Sequence, residues 1–229
     1  MDLGALPTDL FIGGAWVPSS TAARFDVSDP STGQRITSVA DAAYEDGLAA
    51  VTAASAALPG WAATPPRDRG EILRTAFELM TARLDWFAEL ISRENGKALP
   101  DARGEVRYAA EFFRWYAEEA VRITGALSVA PAGSNRILVQ HQPVGVSLLI
   151  TPWNFPAAMA TRKIAPALAA GCSVILKPAS ETPLTAYALA ALLQEAGVPP
   201  GVVNVLATSH ARSLVSALLH DPRVRQLSF

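Results

Sequence analysis

The carboxyl-terminal part of the chain alternates between two periodicities, and this alternation restricts the possible folds more than any other feature. From Val144 onward the runs GVSLLIT, SVILKP and VVNVLA are short, continuous and rich in Val, Ile and Leu, the texture of strands buried on both faces. Each is followed by an alanine- and leucine-rich stretch of helical length, from about Ala157 to Ala170, Pro183 to Ala196 and Ala211 to Leu219, after which VRQLSF reads as a further strand. Three strand-then-helix units within residues 144–229 predict right-handed crossovers and a parallel sheet, an α/β fold. In open parallel sheets ligands sit beyond the carboxyl ends of the strands. That rule selects Thr151 to Pro156, Lys177 to Thr182 and Thr208 to Arg212 as candidate site loops.

Upstream, FIGGAWVPSS places apolar residues on both sides of Gly13-Gly14, a pair suited to the positive φ of a two-residue hairpin turn. DPSTGQRI, Asp29 to Ile36, reads as a turn followed by a strand, and an alanine-rich stretch from Asp41 to Ala57 is then broken twice by proline in LPGWAATPP. Ile72, Leu73, Ala76, Phe77, Met80, Leu84, Phe87 and Ile91 recur at three- and four-residue steps, which predicts one amphipathic helix ending at the RENGK turn with Gly96. A second helix is expected from about Asp101 to Ile123. Its stripe of Val106, Ala109, Phe112, Phe113 and Tyr116 reads as core rather than as an aromatic binding box. From Ala126 to Pro143 apolar and polar residues alternate around PAGSN, predicting a β ribbon with Ile137, Val139 and His141 on one side, which must pair with something.

The chain has 229 residues, half of them hydrophobic, enough for a sizeable core. Its 19 basic and 21 acidic side chains give a net charge of −2 with no basic block, so neither nucleic acid nor an anionic membrane is an expected partner. The start, MDLGALPTDLFIGG, lacks the basic and apolar regions of a secretory signal, and no apolar run approaches the ~20 residues of a spanning helix, so a cytoplasmic location is expected. The single cysteine, Cys172, excludes an internal disulfide. No GxGxxG, GxxxxGK[ST] or GxSxG motif is present, and His141, His210 and His220 are scattered, so no metal site is expected.

Two segments carry the chemistry. TPWNFPAAMATRK, Thr151 to Lys163, sets one amide, Asn154, between a tryptophan and a phenylalanine at a strand-to-helix junction, as either a turn device or a donor aimed outside the chain. In KPASETP, Lys177 follows a buried strand, where its ammonium either reaches a ligand hydroxyl or phosphate or simply caps the strand in solvent. Pro178 fixes that turn, Ser180 can donate from it, and Thr182 with Pro183 reads as an N-cap followed by the first helical position.

Taken together, FIGGAWV, DPSTG, RENGK, PVGV…ITPWNFP, APALAAGCSVILKPASETP, AGVPPGVVNVL and VRQLSF resemble the aldehyde dehydrogenase superfamily over nearly the whole chain. PWNFPAAMATRKIAPALAAGC and KPAS look most like the succinate-semialdehyde dehydrogenase branch. The resemblance implies a Rossmann-like coenzyme-binding domain formed by residues 1–125 and 144–229, incomplete here, and an oligomerisation arm at 126–143, hence a homo-oligomeric parent enzyme. It implies NAD(P)-dependent oxidation of an aldehyde, most like succinic semialdehyde, to the acid. Asn154 then matches the amide donating to the oxyanion formed under thiolate attack, a preorganised contact worth ~3 kcal/mol of barrier. Thr151, Pro152 and Trp153 match the loop on the nicotinamide side of the coenzyme, with Asn154 beside it. Lys177 matches the lysine that reaches the adenosine ribose, on the loop shared with Pro178, Ala179 and Ser180. Ser180 stands where NAD-preferring relatives often carry glutamate, so either coenzyme is expected, with NADP favoured. Arg162, two helical turns beyond Asn154, matches the arginine that holds the distal carboxylate of a semialdehyde; its plain alternative is a surface or ion-paired arginine.

The chain also departs from the family pattern. It ends at Phe229, before the family's general-base glutamate and catalytic cysteine, so the catalytic domain is absent and inactivity of the chain alone is expected. Cys172 opens a buried strand and reads as structural. His210 and Arg212 occupy a loop where relatives carry glycine; Arg212 can meet a 2′-phosphate, or the added bulk can crowd the adenine. The competing expectation is a non-catalytic nucleotide-binding or subunit-association protein. The apolar edge at RQLSF predicts poor solubility of the isolated chain.

Overall fold

The computed structural model describes residues 6–229. The first five residues, which belong to the segment read above as lacking a secretory signal, lie outside the described residues. Strands β1 (Leu10–Ile12) and β2 (Ala15–Val17) form the expected hairpin, and β3 (Arg24–Ser28) and β4 (Arg35–Ala40) form a separate two-stranded sheet joined by the Asp29–Gln34 turn. Helices α1 (Tyr44–Ala63), α2 (Pro66–Ala82), α3 (Leu84–Asn95) and α4 (Leu99–Glu119) follow, the last closing in a short 3-10 turn at Ala120–Arg122. A ribbon of β5 (Ala126–Val129) and β6 (Arg136–Val139) leads to the alternating region. That region consists of β7 (Val146–Ile150), α5 (Pro156–Ala169), β8 (Val174–Lys177), α6 (Pro183–Glu195), β9 (Val203–Val205), α7 (Ala211–His220) and β10 (Val224–Ser228).

The main sheet has the order β10-β7-β8-β9-β1-β2. β10, β7, β8 and β9 are parallel, as their continuous apolar runs predict, with Leu148 beside Ile175 and Leu149 beside Leu176. The amino-terminal hairpin adds to the far side through an antiparallel pairing of Phe11 with Val205, so the sheet is mixed. Helices cover both faces. Leu149, Val174 and Leu176 point into a core shared with α2 to α6, whereas Leu148 and Ile175 meet Ala50, Val51 and Ala54 of α1 and Leu214 and Leu218 of α7. This double cover explains the loss of polar alternation in the strands.

Several sequence expectations are corrected. Pro59 does not break α1, which continues to Ala63 and buries Trp61; that packing offsets the hydrogen bond a helical proline forfeits. The single helix expected over Ile72 to Ile91 is two helices meeting at Arg83, whose φ of −106° and ψ of 24° interrupt the helix. Met80 and Phe87 both remain buried across the break, so the apolar spacing conceals it. The ribbon strands end at Val139, so His141 belongs to neither of its faces. Both ribbon strands are exposed along their whole length, Leu127 and Leu138 at 68%.

Candidate functional site

The three loops selected by sheet topology lie where strands give way to helices, and each is tied down by a carboxylate from a distant part of the chain. The first two helix starts need such help. α5 and α6 both open with proline at the first positions, carry no acidic residue in the first turn, and have no side-chain cap of their own. Thr182, expected to cap α6, makes no capping bond.

Glu105, buried on α4, caps α5 instead: one oxygen accepts the amides of Ala157 at 2.9 Å and Ala158 at 3.2 Å, and the other meets Lys97 Nζ at 2.5 Å. Glu94, buried near the end of α3, accepts the amide of Leu184, and the amide and hydroxyl of Thr185 at 2.9 and 2.6 Å. Burial pushes the Glu94 carboxyl up to about 7, against the pull of Thr185 and Leu184, and the nearby Glu105 charge adds to the rise. At the third loop Asp41 accepts the amide and hydroxyl of Ser209 at 2.9 and 2.5 Å. An acceptor at orphaned helix amides stabilises by satisfying donors and by meeting the positive end of the helix dipole.

The RENGK turn joins the first two anchors. Gly96, at φ +79°, ends α3 in the left-handed region, where any side chain would also meet Pro30 at 2.8 Å. The reversal brings Asn95 Nδ2 to the carbonyl of Trp153 at 2.8 Å and Lys97 Nζ to the carbonyl of Asn154 at 2.9 Å. The Lys97 ammonium also lies 3.8 Å from the centre of the Phe155 ring.

Among the sequence-selected residues, Thr151 is buried and its amide donates to the Lys177 carbonyl at 3.2 Å, which joins the first loop to the second. Pro152, Trp153 and Asn154 are exposed, and the Asn154 side chain has no hydrogen bond among the described residues. Lys177, Pro178 and Ala179 are buried. The Lys177 ammonium has no hydrogen-bond partner among the described residues, and burial lowers its pKa against a smaller opposing pull from Glu181. Ser180 is half-buried and donates to Glu181 at 3.1 Å, so this loop presents a carboxylate one residue beyond the expected serine. His210 and Arg212 are exposed.

Four of the candidate residues line two cavities, and Thr151, Lys177, Pro178 and Ala179 line neither. One, of about 640 Å³, is lined by Trp153, Ser180, Glu181 and Thr182 together with Glu94 and Asn95. The other, of about 680 Å³, is lined by Pro152, Met159, Arg162, Lys163, Cys172 and Phe229. Arg162 is exposed on α5 and has no acidic partner among the described residues; Lys163 beside it is held below the ordinary lysine range by burial first and by the Arg162 charge second. This wall is therefore cationic. Asn154 lines neither cavity, and Cys172 is buried with its amide bonded to the Ala167 carbonyl at 2.9 Å. Among the described residues there is no cluster of potential metal ligands, and no helix is long and apolar enough to cross a membrane.

A doubly covered, mainly parallel sheet with polar loops at its carboxyl edge defines an α/β ligand-binding protein. The family follows from comparison: residues 16–229 match the model of the aldehyde dehydrogenase family, and the chain belongs to it. A succinate-semialdehyde dehydrogenase of Paenarthrobacter nicotinovorans is 56% identical over 194 residues, 85% of this chain and 43% of that protein. A succinate-semialdehyde dehydrogenase [NADP(+)] of Escherichia coli is 46% identical over 218 residues, 95% of this chain and 45% of that protein. The solved structure of succinate-semialdehyde dehydrogenase from Burkholderia pseudomallei superposes with a TM-score of 0.96 at 42% identity, over 100% of this chain and 47% of that one. The chain thus spans less than half the length of these relatives.

Proposed function

We propose that these residues form the coenzyme-binding segment of an NAD(P)-dependent dehydrogenase that oxidises a semialdehyde bearing a distal carboxylate, with succinic semialdehyde as the best fit. The observation that carries this reading is the cationic wall of Arg162 and Lys163, free of acidic partners among the described residues and set in a cavity with Pro152 of the Asn154 loop. An unpaired guanidinium offers a carboxylate two parallel hydrogen bonds.

On this reading Lys177 binds the coenzyme's ribose through an ammonium that burial has stripped of water and left without a partner among the described residues. Thr151, Pro152 and Trp153 face its nicotinamide side, and Pro178, Ala179 and Ser180 shape the turn beside the ribose. The coenzyme, when bound, accepts a hydride from the reacting carbon. Asn154 offers its unengaged amide to the carbonyl oxygen as negative charge develops there. Ser180, which brings no charge of its own, favours acceptance of NADP. The thiolate has to come from outside these 229 residues, because Cys172, their single cysteine, is only 3% exposed and bonded into the turn before β8, and the general base is expected from outside them on the family resemblance. The 229 residues by themselves are therefore expected to be inactive.

Arg162→Leu tests the reading in the enzyme that carries this segment. Loss of a charge-assisted contact worth about 1.5–3 kcal/mol should raise KM for succinic semialdehyde roughly 10- to 100-fold. KM for an uncharged aldehyde of similar length should stay within about twofold; equal effects on both substrates would overturn it. The exposed ribbon supports a second role, association with like subunits, which a purely structural relative would share without the coenzyme site.

A further inference from the structure

The loop that presents Asn154 has little internal structure: residues 153–155 are bends, Pro152 to Phe155 are exposed, and α5 begins only at Pro156. Its two ends are fixed, by the Thr151 amide on the Lys177 carbonyl and by Glu105 on the amides of Ala157 and Ala158. Between them, and apart from the Met159 amide on the Phe155 carbonyl at 2.9 Å, the hydrogen bonds that hold the backbone among the described residues come from a single turn of three residues. Asn95 donates to the carbonyl of Trp153, and Lys97 donates to the carbonyl of Asn154 while standing over Phe155.

We propose that the Asn95–Gly96–Lys97 turn is the positioning element for the Asn154 amide, and that through Glu94 and Glu105 it sets this loop in register with the Lys177–Thr182 loop. Lys97 is the centre of the arrangement. Its side chain is 14% exposed, and its ammonium joins the Glu105 carboxylate, itself 0% exposed, to the Asn154 carbonyl, so the donor loop and the start of α5 are held by one cation. Glu94, one residue before the turn, holds the first turn of α6 and thereby the end of the Lys177–Thr182 loop. A rotation of the Asn95–Lys97 turn therefore moves both loops together, whereas loss of Lys97 alone releases only the first. An oxyanion donor has to be held within about 0.5 Å of its productive position, and a displacement of about 1 Å costs on the order of 100-fold in rate. Lys97 and Glu105 line neither candidate cavity and act through Asn154, whereas Asn95 also borders the cavity of Trp153 and Ser180.

The inference rests on the assignment of Asn154 as the oxyanion donor, and its test separates the two. Lys97→Met keeps the apolar stem and removes the donor; Asn95→Ala removes the other contact without disturbing Glu105. In the enzyme that carries the segment, hydrogen exchange at the amides of Ala157 and Ala158, which Glu105 holds, should accelerate at least tenfold in Lys97→Met and more modestly in Asn95→Ala. Residues 184–190 on α6 should stay protected. In the enzyme that carries the segment, kcat should fall about 10- to 100-fold with KM for the coenzyme within about twofold, and Lys97→Arg should recover part of the loss. Unchanged exchange at Ala157 and Ala158 of both variants would overturn the positioning role, as would a loss confined to coenzyme KM. Should Lys97→Met fail to fold, the Asn95→Ala exchange and kcat decide alone. Faster exchange with full activity in Asn154→Ala would instead refute the oxyanion assignment.

Discussion

Replacing Glu94 by glutamine should flatten the dependence of stability on pH between about 4.5 and 7. The carboxyl is fully buried, and burial raises it to about 7 from an ordinary 4.5. The folded state therefore holds the proton more tightly than the unfolded chain. For a raised group this stabilisation is fully present below pH 4.5 and is lost as pH rises through about 7. At about 1.4 kcal/mol per unit, the gap between 4.5 and about 7 corresponds to about 3 kcal/mol. In a chain of this size that is about 6–12 °C in Tm. Glu105 is the acidic neighbour that reinforces the rise, while Thr185 and Leu184 oppose it by bonding the charged form. Glutamine removes the titration but places an amide nitrogen against one of the donors from Leu184 and Thr185, so the variant will be less stable at every pH. The diagnostic quantity is therefore the change in Tm between pH 5 and pH 8, compared between wild type and Glu94→Gln by calorimetry in matched ionic strength. Wild type should lose more over that interval, by several degrees. Parallel profiles would show that Glu94 does not exchange its proton in this range, and the account of its burial would fail.

Gly96→Ala should lower Tm by about 2–8 °C, because a left-handed alanine costs about 1–2 kcal/mol and its Cβ would lie 2.8 Å from Pro30. A change under 2 °C would mean that the turn relaxes freely. Ser180→Glu should weaken NADP relative to NAD at least tenfold, about 1.4 kcal/mol, as measured by fluorescence titration; an unchanged ratio would remove Ser180 from the coenzyme site.

The parallel strands β7, β8 and β9 and helices α5 to α7 were legible in the sequence because burial on both faces leaves an unmistakable apolar run. The Gly13-Gly14 hairpin was legible for a different reason, since two consecutive positive-φ residues leave the chain few other paths. The break at Arg83 was not, because α2 and α3 pack on one core and keep the same three- and four-residue spacing through the interruption. The attachment of β1 to β9 is a contact nearly two hundred residues apart in sequence, which no local pattern encodes. At the candidate site, the loops were selected by topology, Asn154 and Lys177 by residue type, and the proposed role of Arg162 by family resemblance. The anchors Glu94 and Glu105 were missed, since an isolated carboxylate on an amphipathic helix reads as part of a solvated face, and Asp41 was missed because a lone aspartate between β4 and α1 reads as an ordinary loop residue. A signal did exist: α5 and α6 begin with proline and no acidic residue, so their free amides demanded an acceptor from elsewhere in the chain.

The carboxylate caps have a consequence for how the sheet edge can treat anions. In nucleotide-binding folds with a glycine-rich turn, phosphate lies on the bare amides at the start of a helix. Here the openings of α5 and α6 already hold Glu105 and Glu94, each wholly buried. Their backbone electropositivity is spent internally, and a phosphate or carboxylate arriving at these loops must be met by side-chain cations instead. Without a glycine fingerprint, any affinity of these two loops for anions has to rest on individual lysines and arginines, where single substitutions can retune it without remaking the backbone.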